Sequence, residues 1–85
     1  MFIYTVYDKK GCVHTAPFFS VNDASAVRAV GNAANDSRTD LCNYPGDFAL
    51  YCVGQFDPDN GTVSGYVPVK FIVEVGSLIK LDKNE

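Results

Sequence analysis

The stretch from Asp47 to Val67 constrains the chain more than any other. Between Phe48 and Phe56, the even positions Phe48, Leu50, Cys52 and Phe56 point one way and are all apolar. The odd positions Ala49, Tyr51, Val53 and Gln55 point the other way and are mixed. Alternation with a period of two, in a run rich in aromatic and β-branched residues, predicts a strand buried on one face. Asp57-Pro58-Asp59-Asn60-Gly61 comes next. Proline presets φ for the first central position of a turn, and Asn-Gly supplies the left-handed positions that reverse the chain. Thr62 to Val67 then alternates again, so the stretch predicts a β-hairpin.

Phe2 to Tyr7 is a second strand pattern of β-branched and aromatic residues. Asp8-Lys9-Lys10-Gly11 reads as a turn, and Cys12 to Phe19 as a weaker returning strand that Pro17 confines to an edge or a bulged end. A helix is predicted over Asp23 to Asn35. Ser20 or Asn22 can cap it, and Asp23 in its first turn suits the positive end of the helix dipole. Val27, Val30 and Ala34 share one face, with Ala26 and Ala33 beside them, whereas Arg28 and Asn32 point away. Gly31 weakens this helix by about 1 kcal/mol relative to alanine, so tertiary packing must hold it.

Ser37 to Gly46 is polar and reads as irregular, ending in the turn Tyr44-Pro45-Gly46-Asp47. Val69 to Val75 predicts a last strand, with Val69, Phe71, Val73 and Val75 on one side. Gly76 stops it, and Ser77 to Glu85 reads as a short turn and a frayed, charged end. The expected fold class is α+β: an antiparallel sheet of four to five strands with a single helix packed on one face. Residues 1–80 form one globular domain and 81–85 a flexible C-terminal tail. One helix covers only one face of such a sheet, which directs the search for function to the other.

The chain has 85 residues and a net charge of −3. A domain of this size buries only about 60–65% of its unfolded surface, so its core is marginal. Residues 1–40 are neutral and residues 41–85 carry the whole acidic excess. An acidic chain is no general nucleic-acid binder, because nonspecific affinity comes from neutralised phosphates; any contact with DNA requires a local basic patch. The N-terminus opens on a strand pattern without the features of a signal peptide, and no apolar run reaches membrane-spanning length. Cys12, Cys42 and Cys52 are odd in number and widely spaced, which favours reduced thiols over a disulfide framework or a zinc site.

No constellation of nucleophile, base and acid stands out. His14 reads as a surface histidine, and Cys52, on the apolar side of its strand, as a small core residue. The segment from Asp57 fails as a calcium loop, because glycine falls at its fifth position and Pro68 at its twelfth. Neither an enzyme nor a cofactor is expected. Tyr4, Tyr7, Tyr51 and Tyr66 with Lys9, Lys10, Arg28 and Lys70 remain as a candidate nucleic-acid face, joined by Arg38. Single-strand binders combine a basic groove with aromatic stacking platforms. The competing reading is that the tyrosines pack a sheet or a subunit interface. The geometry of charge decides between them: cations sharing one face with the tyrosines favour DNA, and scattered cations favour a protein partner. The half-covered sheet and the apolar Val69–Val75 strand also predict a homodimer.

An ordered set of strings carries a resemblance. It runs through Tyr4-Thr5-Val6-Tyr7-Asp8, Pro17-Phe18-Phe19, Ala26-Val27-Arg28-Ala29 and Asn35-Asp36. It continues in Pro45-Gly46-Asp47-Phe48-Ala49-Leu50-Tyr51, Gly54-Gln55-Phe56-Asp57 and Gly61. Over residues 2 to 61 the chain resembles the small nonstructural protein of gokushoviruses, single-stranded-DNA bacteriophages of the Microviridae. That resemblance implies a non-virion protein in the cytoplasm of the infected bacterium, linked to synthesis or packaging of the single-stranded genome. The leading expectation is therefore a non-enzymatic accessory protein that binds single-stranded DNA. The alternative is a factor that acts on the phage replication protein, the procapsid or a host protein without touching DNA.

Overall fold

The Asp57–Gly61 reversal folds as the sequence dictates: Gly61 has φ +75, and its N–H is bonded to the Asp57 carbonyl at 2.8 Å. It joins the two longest strands of a computed structural model that describes residues 1–80. The elements are β1 (Phe2–Asp8), β2 (Val13–His14), β3 (Phe18–Ser20), α1 (Asp23–Ala34), α2 (Asp40–Asn43), β4 (Phe48–Asp57) and β5 (Thr62–Glu74). Short 3-10 turns at Pro45–Asp47 and Val75–Leu78 flank the hairpin. The sheet has five antiparallel strands: β2 and β3 pair successive parts of one side of β1, β4 pairs its other side, and β5 forms the far edge. The expected tail at 81–85 lies outside the described residues.

The core lies between the sheet and α1. Tyr4, Val6, Phe48, Leu50 and Cys52 meet Ala26, Val30 and Ala34, with Val75 closing one end. The helix starts where capping chemistry puts it, since the Asn22 side-chain oxygen accepts the Ser25 N–H at 2.8 Å. Its buried stripe is centred on Ala26 rather than Val27, which is only half-buried. Small side chains here let the helix backbone approach the sheet.

Four expectations are corrected. The single helix becomes two: α2 occupies part of the stretch expected to be irregular, and its cap is the Thr39 hydroxyl, which accepts the Cys42 N–H at 3.1 Å. The return after β1 splits into β2 and β3 on either side of Pro17, which interrupts the ladder. The two strands expected after Gly61 are one, because β5 continues through Pro68 with its register broken opposite β4. Finally, Ser77 onwards is not frayed as far as Lys80. Leu78 and Ile79 pack on the core, and Asn35 holds the segment by donating to the Leu78 carbonyl at 2.9 Å and accepting the Lys80 N–H at 2.8 Å.

Register also revises one face. Tyr51 pairs Phe71 and Leu50 pairs Val73, so Ile72 is an extra residue on β5. A one-residue excess reverses the alternation beyond it. Val73 joins the helix side, while Phe71 stands on the opposite side beside Tyr51.

Candidate functional site

Alternation along β1 separates Tyr4 and Val6, which meet the helix, from Ile3, Thr5 and Tyr7, which face away. Pairing then gathers rings on the face away from α1. Tyr7 lies opposite His14, Thr5 opposite Tyr51, and Tyr51 opposite Phe71. Ring centroids are 4.7 Å apart for Tyr7 and His14, 5.7 Å for His14 and Tyr51, 6.2 Å for Tyr7 and Tyr51, and 5.7 Å for Tyr51 and Phe71. Most meet edge to face, the arrangement that ring quadrupoles favour. The His14 ring is fixed by Thr5, whose Oγ1 lies 2.7 Å from Nδ1 beneath the cluster. Loss of surrounding water, and then the neighbouring Cys12 thiol, push the Tyr7 phenol above its ordinary range.

The aromatic face continues into an apolar one. Phe19 and Phe56 meet at 6.2 Å, and Phe19 is 57% exposed. Along β5, Val63, Val67, Val69 and Phe71 are all exposed, Val67 almost completely. A domain this small rarely leaves so many large apolar side chains in water without a use for them.

The other predicted residues go elsewhere. Tyr4 is wholly buried against the helix, and its hydroxyl donates to Asp23 Oδ1 at 2.6 Å. Burial first, and then this bond to a carboxylate, raise its pKa well above the ordinary tyrosine range. Tyr66 and Lys70 line a groove beside the start of α1, where Lys70 Nζ is 3.7 Å from Asp23 Oδ2. Lys9 reaches Glu74 Oε1 at 2.5 Å and the Gly46 carbonyl at 3.3 Å. Lys10 is exposed in the turn after β1, and Arg28 is exposed on the helix. Arg38 is paired with Asp36 at 2.8 Å.

Thus the structure brings Tyr7 and Tyr51 together on one face and Tyr66 and Lys70 together in the groove. It does not bring the four cations to the aromatic face. Lys9 and Lys10 stand at one end of it, while Arg28 and Lys70 lie on the helix side. Sequence reasoning missed His14 and Phe71 as members of the cluster, and no local signal identifies them without the register. The separation of Tyr4 from Tyr7 was signalled, because residues three apart in a strand point to opposite faces.

Among the described residues, no group of three or more His, Cys, Asp or Glu side chains could hold a metal ion, and no helix is long and apolar enough to cross a membrane. The chain matches the family model described as Phage ORF5 protein over residues 1–78. No curated protein and no solved structure matches it.

Proposed function

The chain belongs to the Phage ORF5 protein family, and from that premise we propose that it is a non-enzymatic phage accessory protein that holds a protein partner against its open sheet face. The observation that carries this reading is the continuous aromatic and apolar surface of Tyr7, His14, Tyr51, Phe71 and the exposed β5 valines, whose nearby cation Lys9 is already paired with Glu74. Protein interfaces are enriched in such rings and poor in lysine at their centre. The gokushovirus resemblance narrows the partner to the phage replication protein, the procapsid or a host protein in the cytoplasm of the infected bacterium. A second copy of the chain is a further partner, since β5 is a long edge that no other strand pairs among the described residues.

The test is binding of the purified full chain to the phage replication protein and to procapsids. Wild type is compared with a Val69→Ser, Phe71→Ser variant. Loss of binding with an unchanged melting temperature is expected; equal binding by both proteins refutes the assignment of this face.

A second reading, single-stranded DNA binding during genome synthesis or packaging, is favoured by the adjacent Tyr7 and Tyr51 rings with Lys9 and Lys10 at their end. It requires preference for single strands, because a duplex hides the base faces on which rings stack. Gel shifts on single- and double-stranded DNA at two salt concentrations test it. Tyr7→Ala or Tyr51→Ala should weaken binding, and Lys9→Ala with Lys10→Ala should flatten its salt dependence. No shift at low salt, or equal affinity of all variants, leaves the partner reading.

A further inference from the structure

Beyond the ring cluster, strand register extends the face away from α1 to the far end of the hairpin. Ile3 lies opposite Phe19 and Gly54, Gly54 opposite Gly65, and Phe56 opposite Val63. Residues directly opposite share a face, and Ile3 looks away from the helix. The face therefore carries rings at both ends: Tyr7, Tyr51 and Phe71 at one, Phe19 and Phe56 with Val63 at the other. Gly54 and Gly65 leave its middle without side chains.

Charge is confined to the ends of this surface. Glu74, opposite Ala49, is paired with Lys9 at one end, and Asp57 and Asp59 sit in the turn at the other. The buried polar side chain beneath the face, Thr5, already has its partner in His14. Such a surface loses little by leaving water. Two copies of a chain of net charge −3 repel one another, and they do so least where uncharged faces meet. The area is also sufficient. Four strand positions about 4.8 Å apart and a ten-residue strand rising about 3.4 Å per residue give a face of roughly 650 Å². Two such faces would remove roughly 1,300 Å² from water, above the roughly 1,000 Å² that a specific interface needs. We propose that the open face packs on the open face of a second copy about a twofold axis, with the two sheets inside and the two α1 helices outside. Sheets packed in this way lie about 10 Å apart, with strand directions within about 30° of each other. The proposal rests on the reading of this face as a protein interface and names its occupant, with which any phage or host partner must compete. It differs from pairing along the β5 edge, which would leave the rings in water.

Sedimentation equilibrium of the full chain at micromolar concentration tests this. Phe71→Lys and Phe19→Lys place a charge at opposite ends of the face, at side chains that are exposed in the single chain. Each should raise the dimer dissociation constant about ten-fold per copy and about a hundred-fold in all, since a twofold interface counts every substitution twice. Asn32→Lys adds the same charge on the exposed side of α1 and should leave the constant unchanged. Circular dichroism melts at dilutions where every protein is monomeric should coincide; should Phe19→Lys melt early, Phe19→Ser takes its place. Phe19 separates the two modes of pairing, because β1 and β4 lie between β3 and β5. A Phe19→Lys dimer as tight as wild type, beside a weakened Phe71→Lys dimer, assigns the contact to the β5 edge and overturns the proposal. A monomeric wild type overturns it too. If that monomer binds the replication protein or procapsids and the Val69→Ser, Phe71→Ser variant does not, the second copy is excluded while the protein-interface reading stands. If wild type dimerises, both lysine variants dissociate and neither phage partner binds, the second copy is upheld and the phage partners fall away.

Discussion

Replacing Gly54 by alanine should damage this fold more than any other single methyl added to a glycine. Gly54 is buried in β4 opposite Gly65, where the hairpin strands approach closely. A Cβ there would collide with the Ser64 carbonyl oxygen and would stand only 3.2 Å from the Gly65 Cα. Both obstacles are backbone, so no rotamer change relieves them and the strands must part locally. Overpacking typically costs about 1–3 kcal/mol, and a backbone obstacle puts this site near about 3 kcal/mol. At about 4–8 °C per kcal/mol for a domain of this size, the melting temperature should fall by about 12–24 °C in a far-UV circular dichroism melt. Two controls isolate the cause. Gly46 has nothing within 4 Å of an added Cβ, so Gly46→Ala should stay within about 0.5 kcal/mol of wild type. Gly61 has open space but φ +75, so Gly61→Ala should cost about 1–2 kcal/mol and Gly61→Asn less, because asparagine tolerates that conformation. A Gly54→Ala protein melting within about 2 °C of wild type would refute the close approach and the register built on it.

Tyr4→Phe removes the hydroxyl donated to Asp23 and should cost about 1–2 kcal/mol by chemical denaturation. The folded-state pKa of Tyr4 is raised, so its contribution is fully present below its ordinary pKa of about 10 and is lost as pH rises beyond it. Wild type should therefore lose more stability than Tyr4→Phe between about pH 9 and 11, and parallel losses would show that Tyr4 is not the responsible group. Val30→Asp places an unpaired charge against Tyr4 and Leu50 and should cost about 4 kcal/mol or more; a normal thermal midpoint would show that the buried helix face is wrong. Light scattering at micromolar concentration should return a dimer mass, and a monomer mass would remove the second copy from the candidate partners of β5.

The hairpin and the helix were legible because local chemistry specifies both. Alternation and the Asn60-Gly61 reversal define the first; a cap at Ser20 or Asn22 and a small-residue face read as Val27, Val30 and Ala34 define the second, where the structure uses Asn22 and buries Ala26 in place of Val27. The α2 turn was not legible in the stretch read as irregular, because four residues are too few to show a helical period. The composition of the open face was hidden for a different reason. Whether Phe71 faces the helix or away from it depends on the extra residue Ile72, and a bulge is a property of two strands rather than of one. The scattering of Lys9, Arg28 and Lys70 likewise follows from tertiary placement, which no charge count contains.

The latch at Asn35 bears on the order in which a nascent chain can become stable. The helix is synthesised early, contains Gly31, and ends on an asparagine that takes its partners from Leu78 and Lys80. Its apolar stripe meets Tyr4 and Val6 of β1, but its cover is completed by residues of β4 and by Val75, which emerge from the ribosome far later. β1, made before β4, must wait for it before its second edge is paired. Such long separations slow folding, because each loop must be closed before its contacts reward it. The early half should therefore remain weakly structured during synthesis and gain protection from hydrogen exchange in one late step, once the segment through Lys80 is free to dock.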